Sequence, residues 1–277
     1  MFVHTTNRFG KLLGITCLFF LTQIVYAAPA AKAITFWIDS DKTSSKVINH
    51  DVWQDLLDKY LVSDPAGVNR FKYGSALDAD HEALKHYIKT LEVIDPRSYN
   101  RNEQMAYWIN LYNALTVDVV LDAYPVKSIL KIGGSFFSPG PWNEKYLDIA
   151  GQKLSLNDIE HGILRPIWED SRIHYAVNCA SYSCPDLSAT VFTGEDINNQ
   201  LTEAAKAYIN DSRGVTVENE DLLLSKIFEW YQIDFGVNEK ELLKELAKYA
   251  KPALAKRLAK HNGDIDYDYN WELNGTK

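Results

Sequence analysis

The sequence is poor in cysteine and in positive charge. It has 3 cysteines among 277 residues, and its formal net charge is −8. An acidic chain without a basic patch is poorly suited to a phosphate backbone, so nucleic acid is excluded as an expected partner. Nucleotide, flavin and metal-binding motifs are also missing, and we therefore expect no cofactor and no metal.

One apolar run is long, and it lies at the start of the chain. Arg8 and Lys11 precede "LLGITCLFFLTQIV", which gives way to "YAAPAAKA". The run is short for a membrane span, and this order is typical of a signal peptide. We predict a signal peptide over 1–33 and a periplasmic or secreted protein without a stable membrane anchor. A lipidated Cys17 is disfavoured, because "GITC" lacks the small residue expected before it.

The remaining chain has no internal repeat, low-complexity tract or linker rich in Pro, Gly or Ser. Apolar residues make up 46% of the sequence and charged residues 24%, which is ordinary for a folded protein. We therefore predict a single domain over 34–277.

A central helix is predicted by "QMAYWINLYNALTVDVVLDAY", which is apolar on almost every side. Asn100 is its expected cap, with Glu103 reaching back. Asn110 and Asn113 need buried hydrogen-bond partners if they face inward. Helical spacing also predicts amphipathic helices in "NHDVWQDLLDKYLV" and "ADHEALKHYIKTLEVI". Short strands are expected around the Ala150-Gly151 turn, in "GVTVEN" and "DLLLSKIF", and in "RIHYAVN".

A carboxylate is aimed at the core by the helix "LNDIEHGIL", where Glu160 falls inside the apolar stripe and His161 at its edge. Glu160 is either an orienting or acid/base group beside His161, or part of a structural ion pair with Arg165 or Arg172.

The predicted strand "RIHYAVN" places Arg172, His174 and Asn178 on one face and ends directly at Cys179. A strand end is a usual place for reactive groups, although His174 can equally be a satisfied structural histidine.

Three chemistries are open to "NCASYSCP", which holds Cys179, Ser181, Ser183 and Cys184. A nucleophilic thiolate needs a base, for which His161 and His174 are the candidates. A disulfide would close a short loop and remove both nucleophiles. Zinc fits least, because the two cysteines lack ligand-spaced partners. Pro185 favours a loop or helix start at Cys184, so we expect Cys184 to be the more readily alkylated thiol and Cys179 its resolving or structural partner.

The segments "AYWINLYNALTVDVV", "LSLNDIEHGILRP", "RIHYAVNCASYSCPDL" and "YDYNWELN" together resemble the domain of unknown function 547 family, in the family's order. The resemblance implies a compact α+β domain with a central buried helix and a small, mostly antiparallel sheet, related to the papain and transglutaminase-like cysteine enzymes. Those enzymes carry their nucleophile at the start of the central helix, where this chain has no cysteine.

Two functions follow as expectations. The first is a cysteine-dependent acyl-transfer enzyme on amide or thioester bonds. In it Cys184 or Cys179 attacks, His161 or His174 moves the proton, and Glu160 orients the base. An oxyanion would be held by Asn178 or loop N–H groups. The second is a non-catalytic binding module whose polar pocket holds a peptide or a small thiol, with Cys179 and Cys184 structural. The expected site residues besides the catalytic candidates are those with polar side chains near the loop and the central helix: Asn110, Asn113, Arg172, Asn178, Ser181 and Ser183.

Overall fold

The computed structural model describes residues 29–135 and 138–276. The predicted signal peptide lies outside this part of the chain apart from its last five residues, and so does Cys17. Residues just after the start of the described chain are held in place: Lys32 N–H donates to His161 O at 3.0 Å, and Ile34 N–H donates to Gly162 O at 2.8 Å.

The helices account for much of the fold. Their bounds are α1 Asp51–Tyr60, α2 Asp78–Glu92, α3 Arg101–Ala123, α4 Arg165–Trp168, α5 Ile197–Ile209, α6 Lys226–Trp230, α7 Gln232–Phe235, α8 Glu239–Ala247 and α9 Pro252–Ala259. A π-helix, Asp158–Leu164, runs directly into α4. Short 3₁₀ turns complete the set: Thr35–Trp37, Tyr73–Ser75, Pro96–Ser98, Ile129–Lys131 and Ser171–Tyr175.

The strands are short and form small separate sheets. They are β1 Leu61–Ser63, β2 Asn69–Phe71, β3 Gly134–Ser135, β4 Ser138–Pro139, β5 Leu147–Ile149, β6 Gln152–Leu154, β7 Val215–Glu218, β8 Asp221–Ser225 and β9 Ile265–Asp268. The pairs β1–β2, β3–β4, β5–β6 and β7–β8 are antiparallel, and β8 also pairs with β9 in a parallel arrangement. The hairpin β5–β6 turns through Ala150 and Gly151, both with positive φ, as the sequence predicts. The fold is therefore a compact α+β domain, as expected.

Helix α3 is the central buried helix of the fold. It is buried almost along its whole length, and Asn100 caps it by accepting hydrogen bonds from Asn102 N–H and Glu103 N–H. The expected return contact from Glu103 is wrong. Its carboxylate instead accepts hydrogen bonds from Ile48 N–H at 2.7 Å and Gly194 N–H at 3.2 Å, so it binds two distant loops to the helix.

The apolar core has two parts, each a separate cluster of buried side chains. The larger surrounds α3 and includes Ile159 and Ile163 of the π-helix. The smaller lies among α5–α9 and β7–β8, and is rich in aromatic rings such as Tyr175, Tyr208 and Phe228. The polar groups described below lie where these two parts adjoin, because the π-helix belongs to one and Phe235 to the other.

The predicted strand "RIHYAVN" is wrong. Ser171–Tyr175 is a 3₁₀ helix capped by Asp170, whose side chain accepts from Arg172 N–H. The alternating apolar residues misled the prediction, because a single 3₁₀ turn packed against two core regions also buries Ile173, His174 and Tyr175 together.

None of the helices in 29–135 and 138–276 combines the length and the apolar character needed to cross a bilayer.

Candidate functional site

The cysteine loop, Cys179–Cys184, brings its two sulfurs together. Both cysteines are free thiols, and their Sγ atoms lie 2.9 Å apart. Cys184 is buried, whereas Cys179 is partly exposed. Two hydroxyls also reach Cys179 Sγ, from Ser181 and Tyr269, each with its oxygen at 3.1 Å. Cys179 is therefore the more exposed residue of the pair.

The C-terminal tail determines the shape of this loop. Tyr182 N–H donates to Glu272 O at 2.7 Å, and Ser183 N–H donates to Asn270 O at 3.2 Å. Within the loop, Cys184 N–H turns back to Ser181 O at 3.2 Å. The sequence segments "NCASYSCP" and "YDYNWELN" are thus adjacent in space, although about 85 residues separate them in the chain.

Asparagine side chains connect the loop to its supports. Asn178 Oδ1 accepts from Ala180 N–H at 2.8 Å and from Asn274 Nδ2 at 3.2 Å, while Asn178 Nδ2 donates to Pro185 O at 2.7 Å. Ala180 has φ +58°, a left-handed conformation that these local bonds stabilise. Asn178 therefore holds the backbone, and its amide is not directed at a substrate as an oxyanion donor.

Two asparagines of α3 also hold loop backbone. Asn113 accepts from Asn178 N–H at 2.8 Å and donates to Ala176 O at 2.9 Å. Asn110 accepts from Phe192 N–H at 3.0 Å and donates to Phe192 O at 2.7 Å. Both find the buried partners that the sequence requires, and both position loops.

The environment separates the two thiols electrostatically. Burial raises the pKa of Cys179, but hydrogen bonds from Cys184, Ser181 and Tyr269 outweigh it, so the pKa is lower than usual for a thiol. For Cys184, burial and its hydrogen bond to Cys179 raise the pKa well above the usual value. The expectation that Cys184 is the more reactive thiol is therefore reversed: a proline after Cys184 does create a loop, but that loop buries the sulfur.

A second polar group, the acid–histidine cluster, consists of buried Glu160, His161, Arg165 and His174 with partly exposed Asp234. Glu160 and His161 lie on the π-helix, where Arg165 N–H bonds to Glu160 O five residues back. The wider turn places both side chains inside the fold, whereas regular α-helical spacing predicts His161 at the edge.

The cluster is internally paired. Arg165 binds Asp234 through Nε at 2.6 Å and Nη2 at 3.1 Å, and its Nη1 donates to His161 Nδ1 at 3.1 Å. His174 Nε2 lies 2.7 Å from Asp234 Oδ2, and its Nδ1 lies 3.9 Å from Glu160 Oε1. Each of these ionisable side chains therefore has another ionisable side chain as its neighbour. Such pairing offsets part of the cost of removing the groups from water.

These neighbours shift the pKa of each acidic group. Burial opposes ionisation of Asp234, yet hydrogen bonds from His174 and Arg165 lower its pKa to about 2. Glu160 also has a lowered pKa, because the attraction of His161 and His174 outweighs its burial. The pKa of His161 is lowered mainly by burial, with Arg165 adding to the effect.

Two phenols connect the acid–histidine cluster with the cysteine loop. Tyr112 donates to Glu160 Oε2 at 3.0 Å, and Tyr231 also hydrogen bonds to Glu160. Burial raises the pKa of both phenols, and charge on either Glu160 or Cys179 raises it further. Tyr231 also stacks on His174 with ring centroids 4.2 Å apart. Both groups therefore lie within electrostatic range of the same two tyrosines.

The predicted catalytic residues do not all touch. Within residues 29–135 and 138–276, no hydrogen bond connects His161 or His174 with either cysteine. Arg172 binds Asp170 at 2.6 Å and Arg165 binds Asp234 at 2.6 Å, so among the described residues neither arginine forms the expected ion pair with Glu160, and Arg165 acts on Glu160 only through its charge. Ser183 supports the tail, since its Oγ accepts from Asn270 N–H at 2.9 Å.

Partly exposed aromatic rings flank Cys179. Tyr269, whose hydroxyl touches the sulfur, packs against Trp230 and Trp271 with ring centroids 4.8 and 4.7 Å away. Trp142 extends the group, 5.9 Å from Trp271. Such rings provide a rigid apolar surface with polar edges, which suits ligand contact.

A groove of about 750 Å³ opens on another face of the tail. Arg70, Lys127 and Tyr182 contribute to its lining, but neither the cysteines nor the acid–histidine cluster do. We place the candidate site at Cys179 because of the groups that contact its sulfur.

One group in the described residues has the composition of a metal site. The ligand atoms of His81, Asp118 and Asp122 lie within 4.8 Å of one another between α2 and α3. His81 already pairs with Asp118 at 2.8 Å and Lys85 with Asp122 at 2.9 Å, so these charges are balanced within the protein.

Sequence reasoning missed Asp234, Tyr112, Tyr231 and Tyr269 as members of the site. Tyr269 lies in the quoted tail motif, and Tyr112 lies between Asn110 and Asn113 on α3, so both had a signal that could have found them. Asp234 follows no recognisable motif, and only the three-dimensional contacts reveal it.

Comparison with known families supports the resemblance. Residues 96–209 match the model of the family described as "Protein of unknown function, DUF547". The match covers less than half of the 277 residues. It includes α3, the π-helix with Glu160 and His161, the 3₁₀ turn with His174, and the cysteine loop. No curated protein and no solved structure matches the chain. The part of the site contributed by Tyr231, Asp234 and Tyr269 lies beyond the matched segment.

Proposed function

We propose that this protein is a cysteine-dependent acyl-transfer enzyme, a hydrolase or transferase acting on amide or thioester bonds, with Cys179 as its nucleophile. The observation that carries the proposal is the set of donors around one partly exposed sulfur: Cys184 Sγ at 2.9 Å and the hydroxyls of Ser181 and Tyr269 at 3.1 Å. A thiolate stabilised in this way is nucleophilic without a histidine in direct contact.

The same donors suit the next step. The Cys179 thiolate attacks a carbonyl carbon to form a tetrahedral intermediate, which later collapses to a thioester as the amine or thiol leaves and takes up a proton from solvent. During the attack the sulfur loses its negative charge and the carbonyl oxygen gains it. The hydroxyls of Ser181 and Tyr269 are then released to bind the developing oxyanion, in place of the Asn178 amide, which holds backbone.

The acid–histidine cluster takes the supporting role in this proposal. Glu160 receives hydrogen bonds from Tyr112 and Tyr231, and His161 and His174 lie beside its carboxylate. Charge on Cys179 also raises the pKa of Tyr231, so in this proposal the cluster holds a phenol within electrostatic range of the reacting group. His161 and His174 act on the reaction through this connection, with no direct proton transfer to sulfur.

An acylation assay tests the proposal. A chromogenic aryl thioester is mixed with the reduced protein, and the expected result is a burst equal to the protein concentration, with the acyl group mapped to Cys179 by mass spectrometry. Cys179→Ser should reduce the burst rate by more than about 1000-fold. Cys184→Ser is the matched control, because it keeps a donor beside Cys179, and it should retain the burst.

Acyl transfer to another residue, or an unchanged burst in Cys179→Ser, would contradict the proposal. Absence of any burst in folded, fully reduced protein favours the second candidate, a non-catalytic module that binds a peptide or small thiol. The observation behind that candidate is the partly exposed aromatic group of Trp230, Tyr269 and Trp271 beside the sulfur.

Export of the protein to the periplasm or the medium is part of the proposal and rests on the order of basic, apolar and small residues in 1–33. Mass spectrometry of the protein recovered from its native compartment should give an N-terminus between Ala28 and Ile34. An intact Met1 would contradict export by cleavage.

A further inference from the structure

The second thiol of the loop has no necessary role in acyl transfer. A hydroxyl could hydrogen bond to Cys179 equally well, because the Ser181 and Tyr269 hydroxyls already contact its sulfur. Of the side chains that contact Cys179 Sγ, only a second cysteine can form a disulfide with it, and Cys184 Sγ lies 2.9 Å away. A disulfide bond of about 2.05 Å therefore requires an approach of about 0.9 Å, which small rotations of two side chains supply.

The backbone around the pair is already held. The cysteine loop is bonded to the tail, as described above. It is also held by Arg213, whose Nη1 donates to Tyr182 O at 3.2 Å and to Cys184 O at 3.3 Å. Arg213 is itself fixed by Asp211 and Asp186 at 2.9 and 3.0 Å. The two cysteines are thus presented to each other by a loop that needs no rearrangement before the sulfurs bond.

We propose that Cys179 and Cys184 form a redox-active dithiol that reduces small, flexible disulfides by thiol–disulfide exchange. We expect a small substrate because Cys179 is only partly exposed, and oxidised glutathione is the probe of this class. The proposal shares the attacking sulfur with the proposed function but does not depend on acyl transfer.

The reaction balances in two exchanges. The Cys179 thiolate attacks one sulfur of R–S–S–R, forming a Cys179–S–S–R bond and releasing R–S⁻. Cys184 then loses its proton, and its sulfur attacks Cys179 Sγ, forming the Cys179–Cys184 disulfide and releasing the second R–S⁻. The two cysteine thiols are oxidised, the substrate disulfide is reduced to two thiols, and the released thiolates take up protons from solvent.

The order of attack follows from the surroundings of each sulfur. Cys184 is 4% exposed and cannot meet a solute first. Its pKa is raised by burial and by its contact with Cys179, and the contribution from the Cys179 charge disappears once Cys179 is in the mixed disulfide. Cys184 therefore becomes easier to ionise at the step that needs its thiolate.

The test uses fully reduced full-length protein, oxidised glutathione as the probe, and Cys184→Ser as the comparison. Wild-type protein should lose two hydrogens and carry no glutathione, with a peptide map showing the Cys179–Cys184 bond. Cys184→Ser should accumulate a glutathione adduct on Cys179, with release of the second glutathione slowed at least about 100-fold. Thermal melting of both proteins verifies that they are folded.

A stable glutathione adduct on wild-type Cys179 would overturn the proposal, and so would equal behaviour of wild type and Cys184→Ser. The acylation assay tests acyl transfer separately, so failure of the redox proposal can be distinguished from failure of the proposed function. An acyl-enzyme in Cys184→Ser together with the Cys179–Cys184 disulfide in wild type supports both proposals, whereas disulfide formation in wild type without any acylation removes only acyl transfer.

Discussion

The cysteine loop and the acid–histidine cluster use hydrogen bonds in opposite ways. In the cluster, ionisable groups satisfy one another: Arg165 binds Asp234 and His161, and His174 lies between Asp234 and Glu160. In the loop, donors converge on Cys179, which keeps an exposed side. Perturbed pKa values occur in both, so the shift alone does not identify the reactive group. In this proposal the reactive group is identified by its exposure and by the hydrogen-bonding groups that converge on it.

The largest expected effect comes from breaking the cluster. Arg165→Met leaves Asp234 without its bidentate partner, and we expect the free energy of unfolding to fall by about 3–5 kcal/mol, because a half-buried charge loses its compensation. Chemical denaturation measures this change.

Arg172→Met is the matched control for Arg165→Met. Arg172 pairs with Asp170 in a similar bidentate way but nearer the surface, so we expect a loss of only about 1 kcal/mol or less. Equal losses in the two variants would contradict the distinction between a buried cluster and a surface pair.

Acid should act on the cluster with a defined sign. The pKa of Asp234 is about 2 in the folded protein against an ordinary 3.8, so its contribution is fully present above the unfolded value and is lost as the pH falls through about 2. That difference corresponds to about 2 kcal/mol. We expect the free energy of unfolding, measured from pH 6 to pH 2, to decline less steeply below pH 4 in Asp234→Asn than in wild type.

His50 provides an internal control at higher pH. Burial lowers its pKa to about 4, so the unfolded chain binds more protons between about pH 6.5 and pH 4, and stability declines in that window as the pH falls. His50→Gln should flatten the pH dependence there and leave the decline below pH 4 intact. An Asp234→Asn variant that flattens only the upper window would refute the assignment of the lower one to Asp234.

The smallest expected effect is on the alkylation rate of Cys179 when one of its hydrogen-bonding hydroxyls is removed. Tyr269→Phe removes a hydroxyl 3.1 Å from Cys179 Sγ, and we expect the pKa of Cys179 to rise because its thiolate loses one hydrogen bond. Alkylation at neutral pH should slow by about 10-fold or less as a result. Tyr267→Phe, two residues earlier on β9, is the matched control and should alkylate at the wild-type rate. Similar rates in all three proteins would remove Tyr269 from the stabilisation of the thiolate.

The elements that sequence periodicity predicts well are those with a single dominant environment. Helix α3 is apolar on nearly all sides and is buried on nearly all sides, and the Ala150-Gly151 turn has a residue pattern that only a tight hairpin accommodates. Ser171–Tyr175 is different, because its residues divide between two parts of the core, and alternation then imitates a strand.

The site was predictable to the extent that its residues lie in motifs. Glu160, His161 and His174 do come together, and so do Cys179 and Cys184, as their placement in the sequence suggests. Which thiol is reactive could not be inferred from Pro185, because exposure depends on the tail that covers Cys184. Asp234 and Tyr231 enter the site from the distant segment α6–α7, and no local pattern signals that contact.

The rate of alkylation at each cysteine as a function of pH tests the central claim most directly. Reduced wild-type protein is treated briefly with iodoacetamide at a series of pH values, and the modified fraction of each cysteine is obtained by peptide mass mapping. We expect Cys179 to be modified first, with an apparent pKa below that of an ordinary thiol, while Cys184 stays protected until the protein unfolds. Faster modification of Cys184, or an apparent pKa of Cys179 at or above that of an ordinary thiol, would contradict the assignment of Cys179 as the reactive sulfur.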